Sequence, residues 1–149
     1  MSGKRDIAVA LVSDFFYPSL GGVEVHIKEM SKVLEKLVRK VIVITHCYPT
    51  DYYGPRDIDG VKTYYLPFLV ITTNVIFPNY ITDYPMAKEI LLSEGIDIVH
   101  THQSTSPLGL AFGIQGYHLG LRVVHTEHSL FEFKKLDGII FPWVMTPIH

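Results

Sequence analysis

The stretch Ile7–Ser13, IAVALVS, is a continuous apolar run, and Lys40–Thr45, KVIVIT, nearly repeats it. Strands that do not alternate with polar residues are buried on both faces, as in a parallel sheet held between helices. Val61–Leu66 (VKTYYL), Asp97–His100 (DIVH) and Arg122–Thr126 (RVVHT) supply three further strands. Between the first two, Val23, Ile27, Met30, Leu34 and Leu37 recur every three or four residues. That is one apolar stripe of a helix, with Glu24, Lys28, Glu29, Lys32 and Glu35 off it. Tyr84–Glu94 fits a short helix with Pro85 near its first turn and Gly95 as its stop, and Pro107–Tyr117 fits a glycine-weakened one. Strands alternating with helices give βαβ units, so the expected class is α/β, a parallel sheet flanked by helices.

The 149 residues suffice for one domain with a real core. A net charge of −2 argues against a nucleic-acid partner, since little here neutralises phosphates. The single Cys47 excludes an internal disulfide framework. Met1–Asp6 is polar and Ile7–Val12 is too short for the core of a secretory signal. No apolar stretch reaches the roughly 18 residues of a membrane span. One segment is unusual. Tyr64–Pro85 carries no Lys or Arg, has Asp83 as its only charge, and is broken by Pro67, Pro78 and Pro85.

Ligands of open parallel sheets bind outside the carboxyl ends of the strands. Ser13, Asp14 and the Gly21-Gly22 loop follow the first strand, and His46 follows the second. His100 and His102 stand at the fourth, and His125, Glu127 and His128 at the fifth. Five of the eight histidines therefore fall at one edge. Gly21 and Gly22 precede a helix whose first N–H groups are unpaired, so a phosphate fits there. The bland alternative is a tight turn needing positive φ. Glu24 is explained by the helix dipole. His100 and His102 share a face of an extended segment. They suit a metal pair completed by His125 or His128, a substrate contact, or a core hydrogen bond. His26 and His118 fall on helical segments and read as solvated or capping. No nucleophile elbow or CxxC is present.

Five blocks in order, VSDFFYPSLGGVEVHI, KVIVITHCYP, GVKTYYLPF, IDIVHTHQSTSPLG and GLRVVHTEHSLFEF, span about Ile7 to Phe133. Together they resemble the N-terminal, Rossmann-like half of retaining glycosyltransferases with the GT-B architecture. More narrowly they resemble the catalytic-subunit family of phosphatidylinositol N-acetylglucosaminyltransferases. The resemblance implies transfer of N-acetylglucosamine from UDP-GlcNAc to phosphatidylinositol, the first step of GPI-anchor synthesis, with no metal and no cofactor. It implies that the backbone of Gly21 and Gly22 meets the donor diphosphate and that His102 is the catalytic position. Glu24, His100, Glu127 and His128 would line the cleft. The lipid acceptor gives Tyr64–Pro85 a candidate role, with Tyr65, Phe68 and Phe77 touching the membrane, against the plainer reading that the stretch covers a sheet edge. Other subunits of a membrane-bound complex and the cytoplasmic face of the endoplasmic reticulum are implied in the same way.

This sequence also departs from the family. These 149 residues contain no glutamate pair spaced E-x(7)-E, so the expectation is a chain without the second, nucleotide-sugar domain and without the membrane anchor, and VRK (Val38–Lys40) stands where GH is usual. After Phe133 the pattern is lost, which points to truncation or a change of frame or splicing. The expectation is one acceptor-side domain over residues 1–149, with little transfer activity alone. The competing readings are another retaining lipid glycosyltransferase, a non-catalytic domain binding lipid or partner subunits, and a metal protein using His100, His102 and His125.

Overall fold

The computed structural model describes residues 3–47, 53–68, 70–72, 75–76 and 80–128. The strands are β1 (Arg5–Val12), β2 (Val38–His46), β3 (Gly54–Ile58), β4 (Val61–Leu66), β5 (Val70–Thr72), β6 (Val75–Ile76), β7 (Ile98–His102) and β8 (Arg122–Thr126). The helices are α1 (Gly22–Leu37), α2 (Tyr80–Ser93) and α3 (Pro107–His118). Six strands form one sheet in the order β3-β4-β2-β1-β7-β8. All neighbours are parallel except β3, which pairs antiparallel with β4. The class is α/β, as the sequence predicts, with an edge hairpin added. That hairpin turns at Asp59 and Gly60, φ 52° and 87°, the two positive values a two-residue type I′ loop requires. β5 and β6 make a separate small ribbon within the uncharged stretch.

Alternation along β1 divides the core between the two faces. Ala8, Ala10 and Val12 pack with Ile42, Ile44, Leu91, Leu108 and Phe112 on the side of α2 and α3. Val9 and Leu11 pack with Val41, Val43 and Ile27 on the side of α1. Phe16 belongs to that second cluster, so the aromatics after β1 bury part of the connection to α1. Val23, Met30 and Leu34 lie partly buried against the same cluster. Leu37, expected in the buried stripe, is exposed with Val25 and Val33.

α2 starts at Tyr80, four residues before the expected Tyr84, with Pro85 inside it. Tyr65 corrects the membrane assignment. It is 3% exposed and donates its hydroxyl to the Tyr17 carbonyl at 2.9 Å, so it has no surface to offer lipid. Phe68 is partly buried against the α2–α3 core. Phe77 and the segment after His128 lie outside the described residues. Among the described residues no helix is long and apolar enough to cross a membrane.

Candidate functional site

Strand register decides which edge histidines meet. Leu11 is paired with His100 in the β1–β7 ladder, and Leu11 faces α1. His100 and His102 therefore both project to the α1 side, with ring centroids 4.2 Å apart and stacked. His125 pairs with Thr101, one residue out of phase, and its Nδ1 lies 2.9 Å from the Thr101 hydroxyl. It cannot complete a set with His100 and His102, which removes the trio of His100, His102 and His125. His46 follows the parity of Ile42 and Ile44 to the other face and is 2% exposed. The shared edge is real, but the pleat splits it.

Two rings do join the pair. His128, just past β8, brings its Nε2 to 3.1 Å from His102 Nδ1. His26, on α1, lies with its ring centroid 4.8 Å from that of His128 and 5.9 Å from that of His102. Sequence reasoning set His26 aside because its helical position looked solvated. Its signal was available: it sits one residue from Ile27, which is fully buried against the sheet face that carries His100 and His102.

Around these rings the loops are fixed by backbone contacts. His100 Nε2 is 2.8 Å from the Thr126 hydroxyl. Glu127 accepts from the Ser104 amide and from the His128 amide, each at 3.0 Å, tying the ends of β7 and β8 together. Its carboxylate is also 3.7 Å from His125 Nε2. His102 is 0% exposed, and its Nε2 has no hydrogen-bond partner among the described residues. Burial, reinforced by the neighbouring rings, pushes its pKa down to about 3. Burial also lowers those of His100 and His128. At neutral pH these rings are uncharged, and His102 is too weak a base to draw a proton from a substrate. A neutral imidazole keeps one donor and one acceptor nitrogen for hydrogen bonding.

Two helix N-termini reach this edge. At α3, Asp14 is 1% exposed and its Oδ1 accepts from the Ser106 hydroxyl and the Leu108 amide, both at 3.1 Å. The Ser106 hydroxyl in turn accepts from the Gly109 amide. That terminus is filled by the chain's own groups. At α1, Gly21 is the N-cap, with φ −152°, and no side chain caps it. The positive-φ explanation of the glycine pair therefore fails. The space freed at Gly21 is occupied: a Cβ there would stand 2.5 Å from Glu24 Oε2. Glu24 is 8% exposed and folds back over the N-cap. At Gly22 a Cβ would meet nothing within 4 Å, so Gly22 is the open approach to the helix mouth.

The family model of PIGA (GPI anchor biosynthesis) matches residues 46–135. The chain belongs to the PIGA family. The PIGA match takes in His100, His102, Glu127 and His128, while Gly21, Gly22, Glu24 and His26 precede it. The chain is 42% identical over 137 residues to the phosphatidylinositol N-acetylglucosaminyltransferase GPI3 subunit of Saccharomyces cerevisiae, covering 91% of this chain and 29% of that protein. It is 38% identical to a phosphatidylinositol N-acetylglucosaminyltransferase subunit from Arabidopsis thaliana, over 93% of this chain and 31% of that one. To the like-named protein of Homo sapiens it is 34% identical, over 93% and 28%. The chain thus spans under a third of these PIGA relatives. In three dimensions it superposes on sucrose-phosphate synthase from Thermosynechococcus elongatus with a TM-score of 0.56 and 19% identity, covering 83% of this chain and 33% of that one. That likeness carries the fold alone, a Rossmann-like half of the GT-B type.

Proposed function

We propose that this chain is the acceptor-side half of an enzyme that transfers N-acetylglucosamine from UDP-GlcNAc to phosphatidylinositol. The observation that carries the reading is the meeting of the α1 mouth with the H-x-H strand. His26, little more than one turn into α1, lies against His102 and His128, so a ligand at Gly22 lies near those rings. The names of the yeast, plant and human relatives, each a phosphatidylinositol N-acetylglucosaminyltransferase subunit, support the acceptor, the transferred group and further subunits; UDP-GlcNAc as donor is part of the proposal. The diphosphate approaches the open backbone at Gly22, and Gly21 makes room for the Glu24 carboxylate. His102, neutral and with no partner for its Nε2 among the described residues, serves the transferred sugar or acceptor as a hydrogen-bond partner, not as a base.

The lipid acceptor calls for an enzyme at a membrane, here the cytoplasmic face of the endoplasmic reticulum. Support for a membrane-facing surface comes from α1 and the loop before it. Leu20, Val25, Val33 and Leu37 are all more than half exposed, and a groove of about 390 Å³ lined by Val25, Met30, Val33 and Leu34 starts at His26. Glu29 also lines the groove, and the mixed, largely apolar surface suits the boundary between headgroups and acyl chains. Phe68 and Phe77 remain part of the proposal, with Phe68 also tied to the core.

The 149-residue chain offers one wall of a cleft, and one wall stabilises little of the departing diphosphate's charge. Incubated with UDP-GlcNAc and phosphatidylinositol it gives little or no product, whereas the assembled transferase turns over and loses activity on His102→Ala. Robust turnover by the chain alone, or full activity of that variant, overturns the reading.

A further inference from the structure

We infer that His26, His102 and His128 form a binding site for a transition-metal cation of the zinc type. One nitrogen from each ring lies within 4.8 Å of the other two, the only such trio of His, Cys, Asp or Glu ligands among the described residues. A tetrahedral zinc with Zn–N bonds of about 2.0–2.1 Å holds its donors roughly 3.3 Å apart. The 3.1 Å between His102 Nδ1 and His128 Nε2 already matches that spacing. His26 is exposed, so its ring is free to close the remaining distance by side-chain rotation.

The second observation is the setting of the middle ring. His102 is fully buried, and its Nδ1 faces another imidazole nitrogen, His128 Nε2, instead of a backbone group. Imidazole suits zinc, copper and nickel, while magnesium and calcium prefer oxygen ligands. The three ligands also come from three elements, α1, β7 and the segment after β8, so an ion there would pin the helix to the sheet edge. The proposed transfer reaction uses no such ion. An ion on these rings would immobilise the His102 ring that this reading assigns to substrate. Binding itself depends on the ring geometry alone, whatever the reaction.

The test is titration of the metal-free 149-residue chain with Zn²⁺ by calorimetry, and with Co²⁺ followed by visible absorption. The expected result is one equivalent bound, with ligand-field bands for Co²⁺ that Zn²⁺ abolishes. His26→Asn and His128→Asn, checked for folding by circular dichroism, each weaken binding by roughly tenfold or more. His118→Asn and His125→Asn leave it unchanged. The inference is overturned by no stoichiometric binding to the wild type, or by affinity that survives His26→Asn. Loss of binding on His125→Asn also overturns it, because the site would then be the His125–Glu127 pair.

Discussion

Replacing Gly22 by alanine separates the two roles a glycine can have at the head of a helix. Gly22 is the first residue of α1, and a Cβ there meets nothing within 4 Å. The fold therefore has no steric objection. Alanine exceeds glycine by about 1 kcal/mol in a helix interior. At the first helical position we take about half of that, which raises the unfolding midpoint by roughly 1–2 °C for a chain of this size. Catalysis responds in the opposite direction. A methyl group between the α1 amides and a diphosphate oxygen breaks a hydrogen bond to a charged group, worth about 1.5–3 kcal/mol. That is a loss of roughly 10- to 150-fold in kcat/KM. Thermal unfolding of the 149-residue chain reads the first effect, and UDP-GlcNAc turnover by the assembled transferase carrying the same change reads the second. Unchanged turnover in a correctly folded variant refutes the argument that the diphosphate approaches Gly22.

His102 adds a pH signature. Its pKa of about 3 lies below the unfolded 6.5, so the unfolded chain binds more protons between those values. Stability is complete above about pH 6.5 and falls below it by about 1.4 kcal/mol per unit. His102→Gln removes about 2 kcal/mol of the loss between pH 6.5 and 5, leaving the smaller contributions of His100 and His128; urea unfolding at both pH values that gives parallel changes in the two proteins counts against it. Glu94 acts in a lower window. Burial opposes its charge, but bonds from Lys62, Tyr64 and Lys40 outweigh that and bring its pKa down to about 2. Its contribution is present above about pH 4.5 and is lost as pH falls toward 2. Glu94→Gln costs about 2 kcal/mol at pH 7, and the gap from wild type closes in acid; a gap constant down to pH 2 refutes it. Gly116→Ala tests the α3–β7 packing. A Cβ there would stand 2.8 Å from Val99 Cγ2, an overpacking that costs about 1–3 kcal/mol, and an unchanged unfolding midpoint is the contrary result.

Much of the architecture was legible because burial on both faces writes itself into composition. The runs at Ala8–Ser13 and Val41–Thr45 have no solvent side to tolerate a charge, so they read directly as the central strands β1 and β2. The edge strand β3 was missed for the converse reason. GPRDI alternates between exposed and half-buried residues, and Pro55 obscures it further. Its turn was nevertheless signalled by Asp59-Gly60, which a reading led by apolar runs passes over. Tyr65 was misassigned by the same habit in reverse, because lack of charge describes both a lipid contact and a buried strand end. Only position in the sheet separates them.

The site was half legible, and the missing half follows from geometry. Sequence order places His46, His100, His102, His125 and His128 past the carboxyl ends of their strands. It does not state their phase against the pleat, because phase depends on the register between strands distant in sequence. Once Leu11 is set against His100 and Thr101 against His125, two of the five turn to the far face. The vacancy they leave is filled by His26 from α1, whose side chain reaches the sheet only because Ile27 docks on it. The glycine pair resolves in the same manner. From sequence, Gly21 and Gly22 are equivalent candidates for a close-approaching anion. In the fold, one clears space for the acid three residues ahead and the other stays open. A diphosphate at this mouth must therefore meet Glu24 as a neighbour, and Glu24→Gln in the assembled enzyme should tighten donor binding while Gly22→Ala weakens it. If both substitutions shift the KM for UDP-GlcNAc in the same direction, the division of labour between the two glycines is wrong.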